Sequence, residues 1–281
     1  MRHHYFVADV FTDTPLEGNQ VAVFDDASKV ATSLMQATAR ELRLAETVFV
    51  LPPENGGDAR VRIFTPEAEL PFAGHPILGT AFVLGSISSH LPIVRLETGA
   101  GIVPVELERE SDRVVFGRMD QPIPKARPYE ETARLLEALG VAGSELPVDA
   151  YRNGPDHVYV ALENEDAVAA VSPDMQALSQ LGDIGANCFA GSGSKWKTRM
   201  FAPGLGVPED AATGSAAGPL AVHLARHGRI SFGDEIEIRQ GAEIRRPSLL
   251  HACAHGSADR VERVVVGGSA VIVAEGEYLL A

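Results

Sequence analysis

Along the first 120 residues, short apolar stretches rich in β-branched side chains alternate with clusters of Gly, Pro, Asn and Asp. That punctuation predicts strands at residues 5–10, 21–24, 47–51, 60–64, 94–97, 102–107 and 114–118. Helical spacing is rarer. Residues 33–42 place Leu34, Ala37, Thr38, Ala39 and Leu42 at intervals near 3.6. Residues 77–84 are apolar all round, which predicts a helix with no solvent face. Residues 130–139 are amphipathic and stop at Gly140, and the mostly apolar residues 216–227 stop at Gly228. Between these patterns, Asp120-Gln121-Pro122-Ile123-Pro124-Lys125-Ala126-Arg127-Pro128 has three prolines and predicts a linker.

The two halves flanking that linker repeat one another. Arg62-Ile63-Phe64-Thr65-Pro66 recurs 137 residues later as Arg199-Met200-Phe201-Ala202-Pro203. Each copy is followed by an acidic loop, a glycine and an apolar helical stretch. Gly74-His75-Pro76 and Gly214-Ser215-Ala216 open those stretches at an offset of 140. Gly18-Asn19-Gln20-Val21 has a looser counterpart in Gly154-Pro155-Asp156-His157-Val158. Three pairs in register predict two domains of one fold, each a set of strands wrapped on one buried helix.

Composition narrows the function. A chain of 281 residues has room for about two domains. Its net charge of −14 lacks the basic footprint of a nucleic-acid binder, and an anionic membrane would repel it. The longest apolar run, residues 76–87, is about half a membrane span. Two cysteines, Cys188 and Cys253, make no disulfide framework. With no apolar core of signal-peptide length at the start, a cytoplasmic location is expected.

Four residues stand out chemically. Glu46 enters a predicted strand among apolar neighbours, where burial would raise its pKa toward the range of a general acid/base; a solvent-facing strand-edge glutamate is the plainer reading. Asp210 precedes the second glycine-led helix, where it would orient a partner or cap the helix. His75 follows Gly74 as a functional or a structural histidine. Ser215, in the matching place, would donate to a substrate oxygen or cap. Gly74 and Gly214 mark helix starts whose free N–H groups favour an anion; two such termini facing each other across a cleft would grip a carboxylate. Other signals are weaker. His223 and His227 have helical metal-ligand spacing without the glutamate of a zinc protease motif or a third ligand. His251-Ala252-Cys253-Ala254-His255 alternates along one strand face. Gly191-Ser192-Gly193-Ser194-Lys195 lacks the spacer of a phosphate loop.

The duplicated domain resembles the diaminopimelate epimerase fold, an α+β architecture of two pseudo-symmetric domains, each a mixed, barrel-like sheet around a central helix. Epimerases and proline racemases of that fold carry a cysteine before each helix-start glycine. Here those positions are Ala73 and Thr213, so two-thiol chemistry is disfavoured. A closer resemblance, nearly end to end, is to the PhzF-type phenazine-biosynthesis isomerases. It rests on Pro15-Leu16-Glu17-Gly18-Asn19, Leu70-Pro71-Phe72-Ala73-Gly74-His75-Pro76, Met119-Asp120-Gln121-Pro122-Ile123-Pro124, Asn187-Cys188-Phe189-Ala190-Gly191 and Glu209-Asp210-Ala211-Ala212-Thr213-Gly214-Ser215.

The resemblance implies an isomerase that converts trans-2,3-dihydro-3-hydroxyanthranilate to its aminoketone tautomer. Glu46 would be the acid/base, with His75 and Asp210 completing the catalytic cluster, and Gly74, Gly214, Ser215 and Thr213 binding substrate. It implies no metal, no cofactor, and a homodimer with a complete site in each subunit's interdomain cleft, working beside other enzymes of the pathway. The expected domains are residues 1–118, joined by a C-terminal strand at about 270–281, and residues 129–269, with 119–128 between them. Two other functions fit the same residues. One is a related isomerase acting on another small amino or hydroxy acid; the other is a non-catalytic binder of a pathway intermediate.

Overall fold

The computed structural model describes residues 1–88 and 91–280. In chain order the elements begin with β1 (Arg2–Val10), β2 (Asn19–Phe24), α1 (Thr32–Leu42), β3 (Glu46–Leu51), β4 (Ala59–Phe64), β5 (Glu69–Leu70), α2 (Gly74–Ile87), β6 (Ile93–Thr98), β7 (Gly101–Glu110) and β8 (Arg113–Gln121). They continue with β9 (Lys125–Pro128), α3 (Thr132–Leu139), β10 (Asp149–Arg152), β11 (Asp156–Ala161), α4 (Glu165–Ala170), α5 (Met175–Ser179), β12 (Ile184–Ser192), β13 (Lys195–Ala202) and β14 (Val207–Asp210). The last are α6 (Gly214–Arg226), β15 (Glu235–Gln240), β16 (Ser248–Gly256), β17 (Val261–Gly268) and β18 (Ala270–Leu279). No helix among the described residues is long and apolar enough to cross a membrane.

The chain divides into two compact units. One is Met1–Asp120 together with the segment from Gly267 onward, and the other is Gln121–Val266. The proline-rich segment is not a linker of coil. Met119 to Gln121 end β8, and Lys125 to Pro128 form β9, which pairs antiparallel with β10. Pro122 and Pro124 fall in the short gap, and Pro128 is the last residue of its strand, where a missing N–H interrupts little. Ala281, the end of the expected C-terminal strand, lies outside the described residues; from Ala270 to Leu279 that strand is paired with β1.

Each unit follows the same wiring. In the first, β2 pairs parallel with β3, β3 antiparallel with β4, β4 antiparallel with β5 and parallel with β6, and β6 antiparallel with β7. In the second, β11, β12, β13, β14, β15 and β16 repeat that sequence of pairings in the same order and sense. The mixed sheet of the first unit packs around α2, whose residues from Gly74 to Val83 are all buried. The second packs around α6, buried from Gly214 to Leu224. These are the two stretches that lack a polar face, so a helix there is stable only when enclosed. At Gly79 the enclosure is so close that a Cβ would lie 2.6 Å from the Val21 side chain.

The outer faces of the sheets carry second cores. In the first unit α1 sets Met35 and Ala39 against Phe24, Phe49 and Phe64, with Phe24 stacked on Phe49 at 4.8 Å. In the second, Leu135 and Leu139 of α3, Val168 of α4 and Leu178 of α5 pack on Val158, Val160 and Phe201.

The repeated Arg-x-Phe-x-Pro stretch has a structural purpose in both copies. Arg62 makes a two-pronged bond to Glu69, Nε to Oε1 at 2.7 Å and Nη2 to Oε2 at 2.6 Å, with its guanidinium over Phe64. Arg199 does the same with Glu209, at 2.8 Å for both prongs, over Phe201. Each fork ties β4 or β13 to the acidic segment that leads into the central helix. The copies differ in burial: the Arg62–Glu69 side chains are 21% and 42% exposed, the Arg199–Glu209 pair 9% and 10%. Arg199 Nη1 also donates to the backbone oxygens of Val171 and Ala169 at 2.7 and 3.0 Å. Leaving that guanidinium without its carboxylate strands a buried charge. Glu209→Gln should therefore cost about 3–5 kcal/mol in urea unfolding, whereas Glu69→Gln should cost about 1 kcal/mol or less. Equal losses would contradict this division.

Candidate active site

Glu46 is the first residue of β3, opposite Val21 of β2 in the parallel ladder. Its side chain is 13% exposed, and its Oε2 lies 3.0 Å from Nε2 of His75. His75 is the second residue of α2 and is buried. Its other ring nitrogen, Nδ1, is 3.2 Å from the Asn19 amide nitrogen. With Asn19 donating, Nδ1 is the acceptor and the ring proton sits on Nε2, facing the carboxylate. The Glu46–His75 contact is close but lacks the alignment of a hydrogen bond, so Glu46 Oε2 is a buried acceptor without one. A buried oxygen in that state calls for an explanation.

The corresponding corner of the second unit is built with other residues. Ser215, second in α6, has its hydroxyl 3.0 Å from Nε2 of His157 on β11. Burial alone pushes the His157 pKa down to about 3, so the ring is neutral at physiological pH. Asn19–His75 and His157–Ser215 are the same strand-to-helix tie with the histidine on opposite sides of it. Asp210 ends β14, and its Oδ2 accepts from the Thr213 hydroxyl at 2.7 Å. Gln240 clamps that loop: its Nε2 donates to the Asp210 carbonyl and the Thr213 hydroxyl, both at 2.9 Å, and its Oε1 accepts from the Thr213 N–H at 3.0 Å. Thr213, the residue before α6, makes no side-chain cap to the helix; its hydroxyl is turned to Asp210.

The start of α6 is fixed from behind. Pro219 has no N–H to give the Ser215 carbonyl four residues earlier, and Asn153 Nδ2 donates to that oxygen instead, at 3.0 Å. Gln121 Nε2 holds the Gly214 carbonyl at 2.8 Å, and the Tyr159 hydroxyl holds that of Ala216 at 2.7 Å. Side chains therefore fix the first turn of the helix, where the Ala216 and Ala217 N–H groups share the Thr213 carbonyl at 2.9 and 3.1 Å. Both central helices begin with glycine, Gly74 and Gly214.

No thiol is poised to act as a base. Burial pushes Cys188 up to about 12, and Cys253 is raised as well. Gly191 to Lys195 is the hairpin turn between β12 and β13 rather than a phosphate loop. Asn19, His157, Gln240 and Asn153 were absent from the sequence-based candidates. The repeat held a signal for one of them, since His157 lies 138 residues after Asn19, close to the offset of the helix starts.

Because His157 stays neutral when folded and titrates near 6.5 when unfolded, the unfolded chain binds the extra proton between about pH 6.5 and 3. Stability is complete above that window and falls as pH drops through it, by at most about 1.4 kcal/mol per pH unit from this group. His157→Gln should flatten the fall of the urea midpoint between pH 6 and 4.5. An unchanged slope would show that His157 is not the group being titrated.

The model of the phenazine biosynthesis-like protein family matches residues 8–276. Trans-2,3-dihydro-3-hydroxyanthranilate isomerases of Pseudomonas fluorescens and Pseudomonas chlororaphis are 52% and 53% identical over 278 residues, covering 99% of this chain and 100% of theirs. Among solved structures, a phenazine biosynthesis protein of the PhzF family from Bacillus anthracis superposes with a TM-score of 0.85 at 25% identity, with both chains covered completely. A predicted epimerase from Pseudomonas aeruginosa gives 0.84 at 32% identity, covering 99% of this chain and 100% of the other. A hydroxyproline epimerase from Agrobacterium vitis gives 0.67 at 15% identity, covering 99% and 91%, a likeness of fold.

Proposed function

The chain belongs to the phenazine biosynthesis-like protein family, and on that premise we propose that it is a trans-2,3-dihydro-3-hydroxyanthranilate isomerase in which Glu46 moves the proton. The observation that carries the reading is the Glu46 carboxylate, buried beside His75 at 3.0 Å, in a chain about half identical, end to end, to isomerases of that name.

The chemistry needs one carboxylate. Glu46 takes the proton from the hydroxyl-bearing carbon of the cyclohexadiene, and the electron pair of that C–H bond spreads along the conjugated system. The protonated Glu46 returns the proton to the far end, leaving an enol that tautomerises to the aminoketone. When both carbons present the same ring face, one group performs both transfers, and the second base of a racemase is superfluous. This agrees with Ala73 and Thr213 standing where racemases of the fold keep cysteines. His75, with Nε2 toward Glu46, holds the carboxylate in place while its proton count changes, and Asn19 holds His75.

Asp210 is assigned as the second catalytic carboxylate and Thr213 and Ser215 as substrate-binding hydroxyls. Gly74 and Gly214 are the helix starts that receive anionic groups. The same reading carries a cytoplasmic homodimer, whose mass sedimentation equilibrium measures.

The decisive assay mixes trans-2,3-dihydro-3-hydroxyanthranilate with purified protein and follows the diene absorbance. Wild type should consume it, and Glu46→Gln should be slower by about 10²–10⁴-fold while still binding a substrate-like carboxylate. Undiminished turnover by Glu46→Gln would remove Glu46 as the base. An inert wild type would move the substrate to another small acid; a protein that also exchanges no substrate hydrogen with solvent would be a binder.

A further inference from the structure

The helical pair His223 and His227 lacked a third ligand in the sequence, and the fold supplies one. Asp149, the first residue of β10, is brought to the C-terminal end of α6, where His223 occupies the last turn and His227 the cap. Its Oδ2 lies 3.0 Å from His227 Nε2 and 3.7 Å from His223 Nδ1. One ligand atom from each of the three residues falls within 4.8 Å of the others. We propose that Asp149, His223 and His227 form a divalent transition-metal site of the zinc class, separate from the residues assigned to the isomerase reaction.

The spacing suits such an ion. Zinc bonds of about 2.0–2.2 Å in a tetrahedron set neighbouring donor atoms about 3.3–3.6 Å apart. The separations from Asp149 Oδ2, 3.0 and 3.7 Å, bracket that range, and the third side of the triangle is within 4.8 Å, so side-chain rotations close the site. Two imidazoles and a carboxylate leave one position open, the donor set of many zinc centres. The surroundings hold the ligands in register. His223 is completely buried, stacked on Tyr159 at 5.5 Å and met edge-on by Phe189. Burial pushes its pKa down to about 3, which keeps a lone pair available at neutral pH. The Tyr151 hydroxyl stands 3.2 Å from His223 Nδ1 and yields that nitrogen when a metal binds. The negative end of the α6 dipole favours a cation here. Arg226 works against one, since its charge also acts on His223; the Asp149 carboxylate is what offsets it.

The test uses the full chain, stripped with a chelator and titrated with zinc chloride against a chromophoric competitor, and separately with cobalt(II). One equivalent of zinc per chain should bind. Asp149→Asn and His227→Ala, checked for folding by their urea midpoints, should weaken it at least about tenfold. Arg226→Gln should tighten it, and Cys253→Ser should leave it unchanged. Cobalt should give tetrahedral visible bands with no thiolate charge-transfer band. Wild type that takes up no stoichiometric zinc would overturn the proposal. So would binding that survives Asp149→Asn and His227→Ala, or that disappears with Cys253→Ser together with a thiolate band in cobalt. The latter would place the metal at Cys253 and His255, whose Sγ and Nε2 are 3.4 Å apart.

Discussion

An α-helix with no polar side must be enclosed, and enclosing it creates a problem at its ends. The backbone groups of the first turn cannot turn to water, so something else must satisfy or use them. Both units are answers to that constraint. The sheet wraps the helix, and side-chain groups take up carbonyls of its first turn: in α2 the Thr80 hydroxyl donates to the Pro76 oxygen. In α6 this is explicit: Gln121, Asn153 and Tyr159 each hold one successive carbonyl, and Pro219 removes the helical competitor for the middle one.

The duplication keeps the frame and changes the chemistry. The arginine–glutamate fork, the strand order and the glycine-led helix recur in both units. The tie behind the second helical residue recurs too, as Asn19–His75 in one copy and His157–Ser215 in the other. The first copy aims a protonated imidazole nitrogen at a carboxylate. The second backs a hydroxyl with an imidazole that burial keeps neutral. A duplicated scaffold can thus present different groups at equivalent points without altering its core.

Much of this was legible in the sequence because it is local. The two all-apolar stretches gave the buried helices, the Gly-led starts gave their first turns, and the apolar setting of Glu46 gave its partial burial. The Pro-rich segment holds the division between the units, at Asp120 and Gln121, but proline density is a coil signal and hides β9, whose pairing with β10 depends on partners 21 to 27 residues away. Asn19 and Gln240 escaped for the same reason: each acts on a residue 56 or 27 positions distant, and an amide side chain has no pattern that announces its target. Asp149 is the extreme case. Nothing in His-x-x-x-His points 74 residues upstream; only the pairing of β10 beneath α6 brings the carboxylate to the histidines.

The first unit is assembled from both ends of the chain. β18 pairs along the whole of β1, yet every residue of the second unit lies between them in sequence. During synthesis, β1 therefore leaves the ribosome with one of its edges unpaired and stays so until the last strand follows. The second unit, continuous from Gln121 to Val266, has all its residues first. The usual order, in which the N-terminal domain is finished before its successor, is inverted. An exposed strand edge invites pairing with other nascent chains, so the interval between translation of residue 10 and residue 279 is when this protein is most open to aggregation and most in need of a chaperone.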